Sequence, residues 1–430
     1  MNILVLGSGG REHAFAWAIN KSENCQKLYV APGNAGTASI AENVNIGVSE
    51  FDKISRFITE KHIDLLVVGP EAPLVDGLRD YLEDKPEHSK LLIVGPGKVG
   101  AQLEGSKDFS KGFMQKHGIP TAASITFTKE TLEEAKKYIS GLPTPIVLKA
   151  DGLAAGKGVL ICESHEDAFK SISKMLEDEQ FGAASKKVVI EEFLKGIELS
   201  VFVLTDGKDY VILPEAKDYK RIGENDSGPN TGGMGAVSPV DFAHKGFLDR
   251  VEKEVVQPTI SGLQKDNIPY IGFIFIGLMN VDGAPYVIEY NVRMGDPETQ
   301  VVFPRINSDV LDLLVKTAQK DLNNAHYDTI SETATTVVMV SGGYPGSYDK
   351  GQRIYGLENN EPDTVVFHAG TKKVESDVVT SGGRVLNITG IAPDLASALG
   401  KSYKRVNLLC WEDVYFRRDI GQDLLALSRK

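Results

Sequence analysis

Glu289 and Asn291, two residues apart, are the first candidates for chemistry in this 430-residue chain. They fall in an apolar run, residues 286–291, that reads as a β-strand, where positions i and i+2 face the same side. One carboxylate and one amide oxygen suit Mg²⁺, which takes a few protein oxygens and fills its shell with water and nucleotide phosphates. Alone, such a pair is more often a solvated strand face. The sequence context shifts that balance, because the strand runs straight into Val292-Arg293-Met294-Gly295-Asp296-Pro297-Glu298, a turn dense in charge. Arg293 beside a metal-held phosphate could stabilise transferring or leaving charge.

Lys149 is the second candidate. It sits at the end of an apolar strand between Leu148 and Ala150, where a lysine needs a partner and is more often functional than a solvated surface charge. The loop that follows, Gly152-Leu-Ala-Ala-Gly156-Lys157-Gly158, is not a P-loop. Its glycines lie one residue too close, Gly158 replaces the Mg²⁺-binding hydroxyl, and a strand rather than a helix follows. A Gly/Ala-rich hairpin tip suits a flexible flap over phosphates. Gly7-Ser8-Gly9-Gly10 has the start of a dinucleotide fingerprint, but Glu12 occupies the third glycine position. Amides 8–11 at a helix start could still hold one phosphate, with Arg11 adding charge; the bland alternative is a tight turn. His13 reads as packing or capping. No side-chain nucleophile has a motif around it, so covalent catalysis is not supported.

The elements that must position these residues read as three regions. Residues 1–100 alternate short apolar strands with helices, and each strand exits into glycine, which implies a parallel, doubly wound sheet. The middle region contains two hairpins, turning at Asp206-Gly207 and Asp282-Gly283. Between them residues 217–239 read as a long polar loop, a length that is usually functional or disordered. From about residue 335 onward short strands and paired glycines predict a small, mostly β domain. Length alone suggests about three domains.

Composition excludes several classes. Forty-seven basic against fifty-nine acidic residues leave a net charge of −12, which argues against a nucleic-acid-backbone binder but allows a local basic pocket. Three scattered cysteines indicate neither a disulfide framework nor a cysteine zinc site. The N-terminus reads as a strand and not a signal peptide, and no apolar run is long enough to span a bilayer. A cytoplasmic protein without nucleic-acid or membrane partners is the expectation.

Longer motifs carry a family resemblance. Gly7-x-Gly-Gly-Arg-Glu-His-Ala14, Pro32-Gly-Asn-Ala-Gly36, Gly69-Pro-Glu-Ala-Pro-Leu74, Lys149-Ala-Asp-Gly-Leu-Ala-Ala-Gly-Lys-Gly-Val159, Asn230-Thr-Gly-Gly-Met-Gly-Ala236, Glu289-Tyr-Asn-Val-Arg-Met-Gly-Asp-Pro-Glu-Thr-Gln300 and Arg417-Arg-Asp-Ile-Gly421 occur in this order. Together they resemble the phosphoribosylamine–glycine ligases of the ATP-grasp superfamily. The resemblance covers essentially the whole chain. It implies an α/β and α+β multidomain fold: a substrate-binding domain over 1–104, an ATP-grasp domain over 105–325 with a flap at about 122–192, and a C-terminal mostly β domain over 326–430. It also implies ATP as co-substrate, Mg²⁺ or Mn²⁺, the substrates glycine and 5-phosphoribosylamine, a glycyl phosphate intermediate, and a monomer.

Carried over by residue, the resemblance places Lys107, Lys149, Gly156, Lys157 and Gly158 at the ATP phosphates. Glu191, Phe193 and Leu194 match the adenine hinge, and Glu198 the ribose site. Glu289 and Asn291 match the metal ligands. Arg293 and Asp296, with Lys149, are implied catalytic residues. Gly9, Gly10, Asn34, Glu71, Asp218, Lys220 and Arg221 are implied at the ribosylamine, Gly232, Gly233 and Met234 at a substrate, and Arg293 with the Asp296-Pro297-Glu298 turn near glycine and the acyl phosphate. Where the family commonly has tyrosine this chain has Phe275, which implies altered adenine packing. Rival readings are another ATP-grasp ligase with a different acid, a nucleotide-binding regulator and a dinucleotide oxidoreductase. The 230–236 and 293–300 segments, the intact lysines and Glu12 weigh against them in turn.

Overall fold

The computed structural model describes residues 1–153, 158–178, 180 and 182–427. Strands β1 (Asn2–Gly7), β2 (Lys27–Pro32), β3 (Glu42–Asn43), β4 (Leu65–Val68) and β5 (Leu92–Val94) pair in parallel, in the order β3-β2-β1-β4-β5. Residues 3–6 and 65–67 are fully buried, as apolar strands covered by helices on both faces must be. The strand order reverses between β1 and β4. A ligand crevice therefore lies beyond their carboxyl ends, at residues 7–11 and 69–71.

Strands β6 (Ser124–Thr128), β7 (Ile146–Ala150), β8 (Val159–Cys162) and β9 (Lys187–Glu192) form a small antiparallel sheet in the order β6-β9-β7-β8. It has its own hydrophobic cluster, including Ile146, Leu148, Ile172 and Ile190. The β7–β8 hairpin is closed by Ala150 N–H donating to Gly158 O at 2.8 Å. The expected phosphate contacts of Gly156 and Lys157, at its tip, lie outside the described residues.

The remaining strands are β10 (Ile197–Thr205), β11 (Tyr210–Asp218), β12 (Arg221–Gly223), β13 (Ser227–Asn230), β14 (Gly235–Ser238), β15 (Gly272–Val281), β16 (Ala284–Asn291), β17 (Thr333–Val340), β18 (Thr364–His368), β19 (Thr371–Val374), β20 (Asp377–Thr380) and β21 (Arg384–Ala392). Eight of these join in one sheet, ordered β16-β15-β10-β11-β14-β17-β21-β18. Both Asp-Gly turns form. Asp282 and Gly283 take φ of 49° and 83°, the left-handed pair whose twist matches the strands it joins.

Two expectations change. Residues 217–239 are not an open loop: β11 continues to Asp218, β12 and β13 make a small hairpin, and β14 enters the large sheet. Its Gly, Asn and Ser content marks tight turns between short strands. The C-terminal strands also continue the central sheet, since β14 pairs with β17 through Ala236 and Thr336. A helix at Leu395–Val406, capped by Asp394 accepting from Ser397 N–H at 2.9 Å, packs on β17 and β21. No helix among the described residues is long and apolar enough to cross a membrane.

His13, on the helix Gly10–Ile19, meets β18 across the interface: its Nδ1 accepts from His368 N–H at 2.8 Å. Its ring packs edge-on against Phe367 at 5.7 Å, so the packing role expected for it is the one observed. Burial, reinforced by the charge on His368, pushes His13 down to about 3, and burial pushes His368 down to about 4. The unfolded chain protonates both near pH 6.5, while the folded chain resists until far lower pH. Their stabilising share is therefore complete above about pH 6.5 and lost as pH falls, by roughly 1.4 kcal/mol per unit for each histidine. Urea unfolding of wild type and His13→Gln should show their stability difference shrinking by about 2 kcal/mol from pH 6.5 to 5. A difference that stays constant over that range would contradict this account.

Candidate functional site

Lys149, next to last in β7, is buried. Its Nζ lies 2.9 Å from Glu191 Oε2 and donates to Ile288 O at 3.1 Å. Glu191, near the end of β9, faces Lys111 at 3.2 Å with its other oxygen, and Lys111 also donates to Thr121 Oγ1 at 2.7 Å. Two lysines thus flank one buried carboxylate, the arrangement in which a buried lysine is tolerated. Burial lowers Lys111 to about 8. Nothing in the sequence around Lys111 singled it out, although it lies one helical turn from Lys107 in the helix Lys107–Lys116.

Asp151 ties that helix to β7. Its carboxylate accepts from Asp108 N–H at 2.8 Å and from Ser106 Oγ at 3.0 Å, satisfying one amide of the first turn. Lys107 is brought over the strand end, where Nζ donates to Gly152 O at 3.2 Å. Burial lowers Lys107 against the opposing pull of Glu289. Past β9, Phe193 is exposed and Leu194 half-buried, whereas Phe275 is buried and packs on Phe202 at 5.0 Å. Glu198 of β10 meets Lys220 at 3.0 Å.

Glu289 and Asn291 project together from β16. The register between β15 and β16 slips between Gly277 and Leu278, leaving Ile288 as an extra residue on β16, and its carbonyl is the one Lys149 grips. Gly277 stands opposite Glu289, and a Cβ there would come to 3.3 Å from Glu289 Cγ. Burial raises the Glu289 carboxyl, but Lys220, Lys149 and Lys107 together hold it below the ordinary carboxylate range. Among the described residues neither Glu289 nor Asn291 uses its side chain in a hydrogen bond or ion pair. Two hard oxygen donors without protein partners, in a field of three ammonium groups, fit Mg²⁺ shared with phosphates. Among the described residues no cluster of three or more His, Cys, Asp or Glu could hold a metal by itself.

Arg293 is held from the far side. Its guanidinium contacts Glu71 at 3.2 Å and Glu104 at 2.9 Å, and Glu104 also accepts from Val292 N–H at 2.8 Å. Burial pushes Glu104 up despite Arg293; at Glu71 the charges of Arg293 and Arg11 outweigh burial and lower it. Arg11 donates to Met294 O at 2.9 Å, so the turn is pinned to the crevice of the first sheet. Asp296 accepts from Gln300 Nε2 at 2.9 Å and from Arg11 N–H at 3.3 Å, with Arg384 at 3.4 Å. Burial raises Asp296, yet Arg384 and Arg11 bring it below its usual value. Glu298 behaves oppositely: burial and the charge of Asp218 push it up to about 8.

Arg384, on β21, was invisible to motif reasoning. It donates to Gly232 O at 2.7 Å and to Asp296 O at 2.6 Å, joining the 230–234 loop to the acidic turn. Gly233 (φ 117°) lies so close to Pro297 that a Cβ would meet Cδ at 2.4 Å, and Met234 is buried beneath. Arg221 donates to Gly228 O at 2.7 Å.

Of the amides of residues 8–11, those of Gly9 and Arg11 have partners within the chain. Glu12, where a third glycine was missing, folds back so that Oε2 takes Gly9 N–H at 2.6 Å and Oε1 takes Arg11 Nε at 2.7 Å. Gly7 and Gly69 lack the Cβ atoms that would collide with it. The chain's own carboxylates therefore occupy the amides of Gly9 and Arg11, and Gly10 packs against Gln300 and Asn387. Asn34 is likewise engaged: its amide donates to Ser8 O and His368 O, and its oxygen accepts from Gly36 and Thr37.

Three family models divide the chain between them. The N domain of phosphoribosylglycinamide synthetase matches residues 1–104, its ATP-grasp (A) domain residues 105–299, and its C domain residues 334–423. The chain belongs to the phosphoribosylglycinamide synthetase family. A phosphoribosylamine–glycine ligase of Vibrio vulnificus (strain CMCP6) is 44% identical over 434 residues, covering all of both chains. A bifunctional purine biosynthetic protein of Pichia angusta is 43% identical over 98% of this chain, which spans about half (53%) of that protein's length. The crystal structure of the Thermotoga maritima phosphoribosylamine–glycine ligase superposes with a TM-score of 0.84 at 36% identity, covering 97% of this chain and all of that one. The ATP-grasp match, residues 105–299, takes in the small sheet, strands β10 to β16 and the lysines between them, while β17, β18 and β21 of the large sheet fall outside it.

Proposed function

We infer that this chain is an ATP-dependent carbon–nitrogen ligase that joins glycine to 5-phosphoribosylamine in purine biosynthesis. The observation that carries the reading is the pair Glu289 and Asn291, unpartnered on one strand face, ringed by Lys107, Lys149 and Lys220 and followed at once by Arg293. That is a site for a metal-bound triphosphate next to a cation that can hold a carboxylate. The names of the full-length relatives supply the substrates.

In this reading Lys107, Lys149 and the β7–β8 hairpin, including Gly158, hold the phosphates of ATP. Backbone groups of residues 191–194 meet the adenine edge, between Phe193 and the layer containing Phe275, and Glu198 takes the ribose hydroxyls. Glu289 and Asn291 hold Mg²⁺ or Mn²⁺, which when bound neutralises phosphate charge. Arg293, kept in place by Glu71 and Glu104, orients the glycine carboxylate. A carboxylate oxygen attacks the γ-phosphorus, the bond to the β-phosphate oxygen breaks, and ADP and glycyl phosphate result. The phosphoribosylamine nitrogen then adds to the acyl carbon, loses a proton and expels inorganic phosphate. Asp296 faces this step with its charge fixed by Arg384 and Arg11. Asp218, Lys220 and residues 232–234 border the ribosylamine, while Gly9, Gly10 and Asn34 shape its pocket. No enzyme nucleophile is needed; alignment and charge neutralisation supply most of the rate.

ADP release measured with each substrate omitted in turn tests the reading. Release should require ATP, glycine and a divalent cation. ADP formed at the same rate without glycine would overturn it.

A further inference from the structure

The Arg417-Arg-Asp-Ile-Gly421 motif has no place in the chemistry above, yet Arg417 is among the largest fully buried side chains. Its guanidinium forks onto Asp419 at 2.8 Å through both Nε and NH2, and NH1 reaches Asp226 at 2.7 Å and Arg221 O at 3.1 Å. Asp419 also accepts from Asn225 N–H at 2.7 Å. The segment 415–423 is therefore bonded to residues 219–226 through groups that satisfy one another, with the buried Arg417 guanidinium paired to two acids that keep some access to water.

Tyr219 carries the connection into the large sheet. Its hydroxyl donates to Asp423 at 2.6 Å and accepts from Gly421 N–H at 3.0 Å, with Lys217 and Arg417 against its ring at 3.8 and 5.3 Å. Lys217 also meets Asp423 at 2.8 Å. Strand pairing continues past β11, because Tyr219 N–H donates to Gly235 O and Met234 N–H to Tyr219 O. Side chains alternate along such a strand. Lys217 and Tyr219 point to the C-terminal segment, and Asp218 and Lys220 point to the other face, where Lys220 meets Glu198 and lies in the field of Glu289.

We propose that the C-terminal segment is a positioning device for the substrate face: Arg417, Asp423 and Tyr219 fix the strand from which Asp218 and Lys220 reach the nucleotide and ribosylamine. The proposal rests on the function inferred above. Arg417 touches no substrate and acts through Asp226, Asp419 and Tyr219. The glycine end is anchored separately, by Glu71, Glu104 and Arg384. Loosening the C-terminal clasp should thus weaken two substrates and spare the third.

The test uses the full chain with Arg417→Lys, which keeps charge but loses the fork, and Tyr219→Phe, which removes one hydroxyl and preserves the fold if the first variant does not. KM for ATP and for phosphoribosylamine should each rise roughly tenfold, the size of one lost charge-assisted bond, while KM for glycine changes less than twofold. Mg·ADP binding by calorimetry should weaken by a similar factor, independent of turnover. Unchanged KM values with only a lower melting temperature, or equal rises for all three substrates, would overturn the proposal. A wild-type enzyme that releases ADP without glycine would instead sink the underlying function.

Discussion

Replacing Glu289 by glutamine should cut turnover by about 10³-fold at ordinary Mg²⁺ while leaving the fold intact. Glu289 makes no hydrogen bond or ion pair among the described residues, so glutamine breaks no direct contact and keeps the side chain's size. Its carboxylate is, however, the acidic donor of the Glu289/Asn291 pair, and it balances Lys107, Lys149 and Lys220. Without it three ammonium groups face one another and the phosphates, and a divalent cation is no longer attracted between them. ATP binding without metal should tighten or hold, and the Mg²⁺ concentration for half-maximal rate should rise steeply. Titrating Mg²⁺ at saturating substrates checks this. Near-wild-type activity at limiting Mg²⁺ would refute the metal assignment.

Arg293→Met should be costly in both stability and activity. The guanidinium is the partner of two acids, Glu71 at 3.2 Å and Glu104 at 2.9 Å, and Glu104 is buried. Removing it leaves an uncompensated buried carboxylate, a loss of about 3–5 kcal/mol in comparable cases. The burial that already raises Glu104 also shows the remedy: the chain should relax by protonating it. Arg293→Met is therefore expected to be less destabilised at pH 5 than at pH 8, since a raised acid binds its proton in the folded state first. The double variant Arg293→Met/Glu104→Gln should recover most of the stability and none of the ligase activity. Urea unfolding at the two pH values, with ADP release on the same samples, separates the two roles. Stability that does not return in the double variant would place the cost elsewhere.

Much of the site was legible because its chemistry needs residue types that ordinary strands avoid. A lysine inside an apolar strand, an acid and an amide two residues apart before a charged turn, and glycines at strand ends are local anomalies. Lys149, Glu289, Asn291 and Arg293 all stand out in this way. Lys111, Glu104, Asp151 and Arg384 did not, since each acts through a partner distant in sequence. Arg384 lies 88 residues from the aspartate it holds. At Asn34 and the amides of Gly9 and Arg11 the sequence showed the turn but not its internal bonds. Their motifs mark sharp turns, and only the folded chain reveals that Glu12 and Asp296 bond the two amides while Asn34 bonds Ser8 and His368.

By itself, then, the sequence determined the parallel first sheet, the hairpins at Asp206-Gly207 and Asp282-Gly283, and the residue pair suited to a metal. These follow from apolar periodicity, left-handed turns and side-chain alternation, all of which act within a few residues. The tertiary structure alone decided that the central sheet runs on through β14 into the C-terminal strands. It also decided which carboxylates are neutralised and by which cations. Pairing of strands far apart in sequence and the field at a buried charge depend on what packs around them, and no local pattern encodes that.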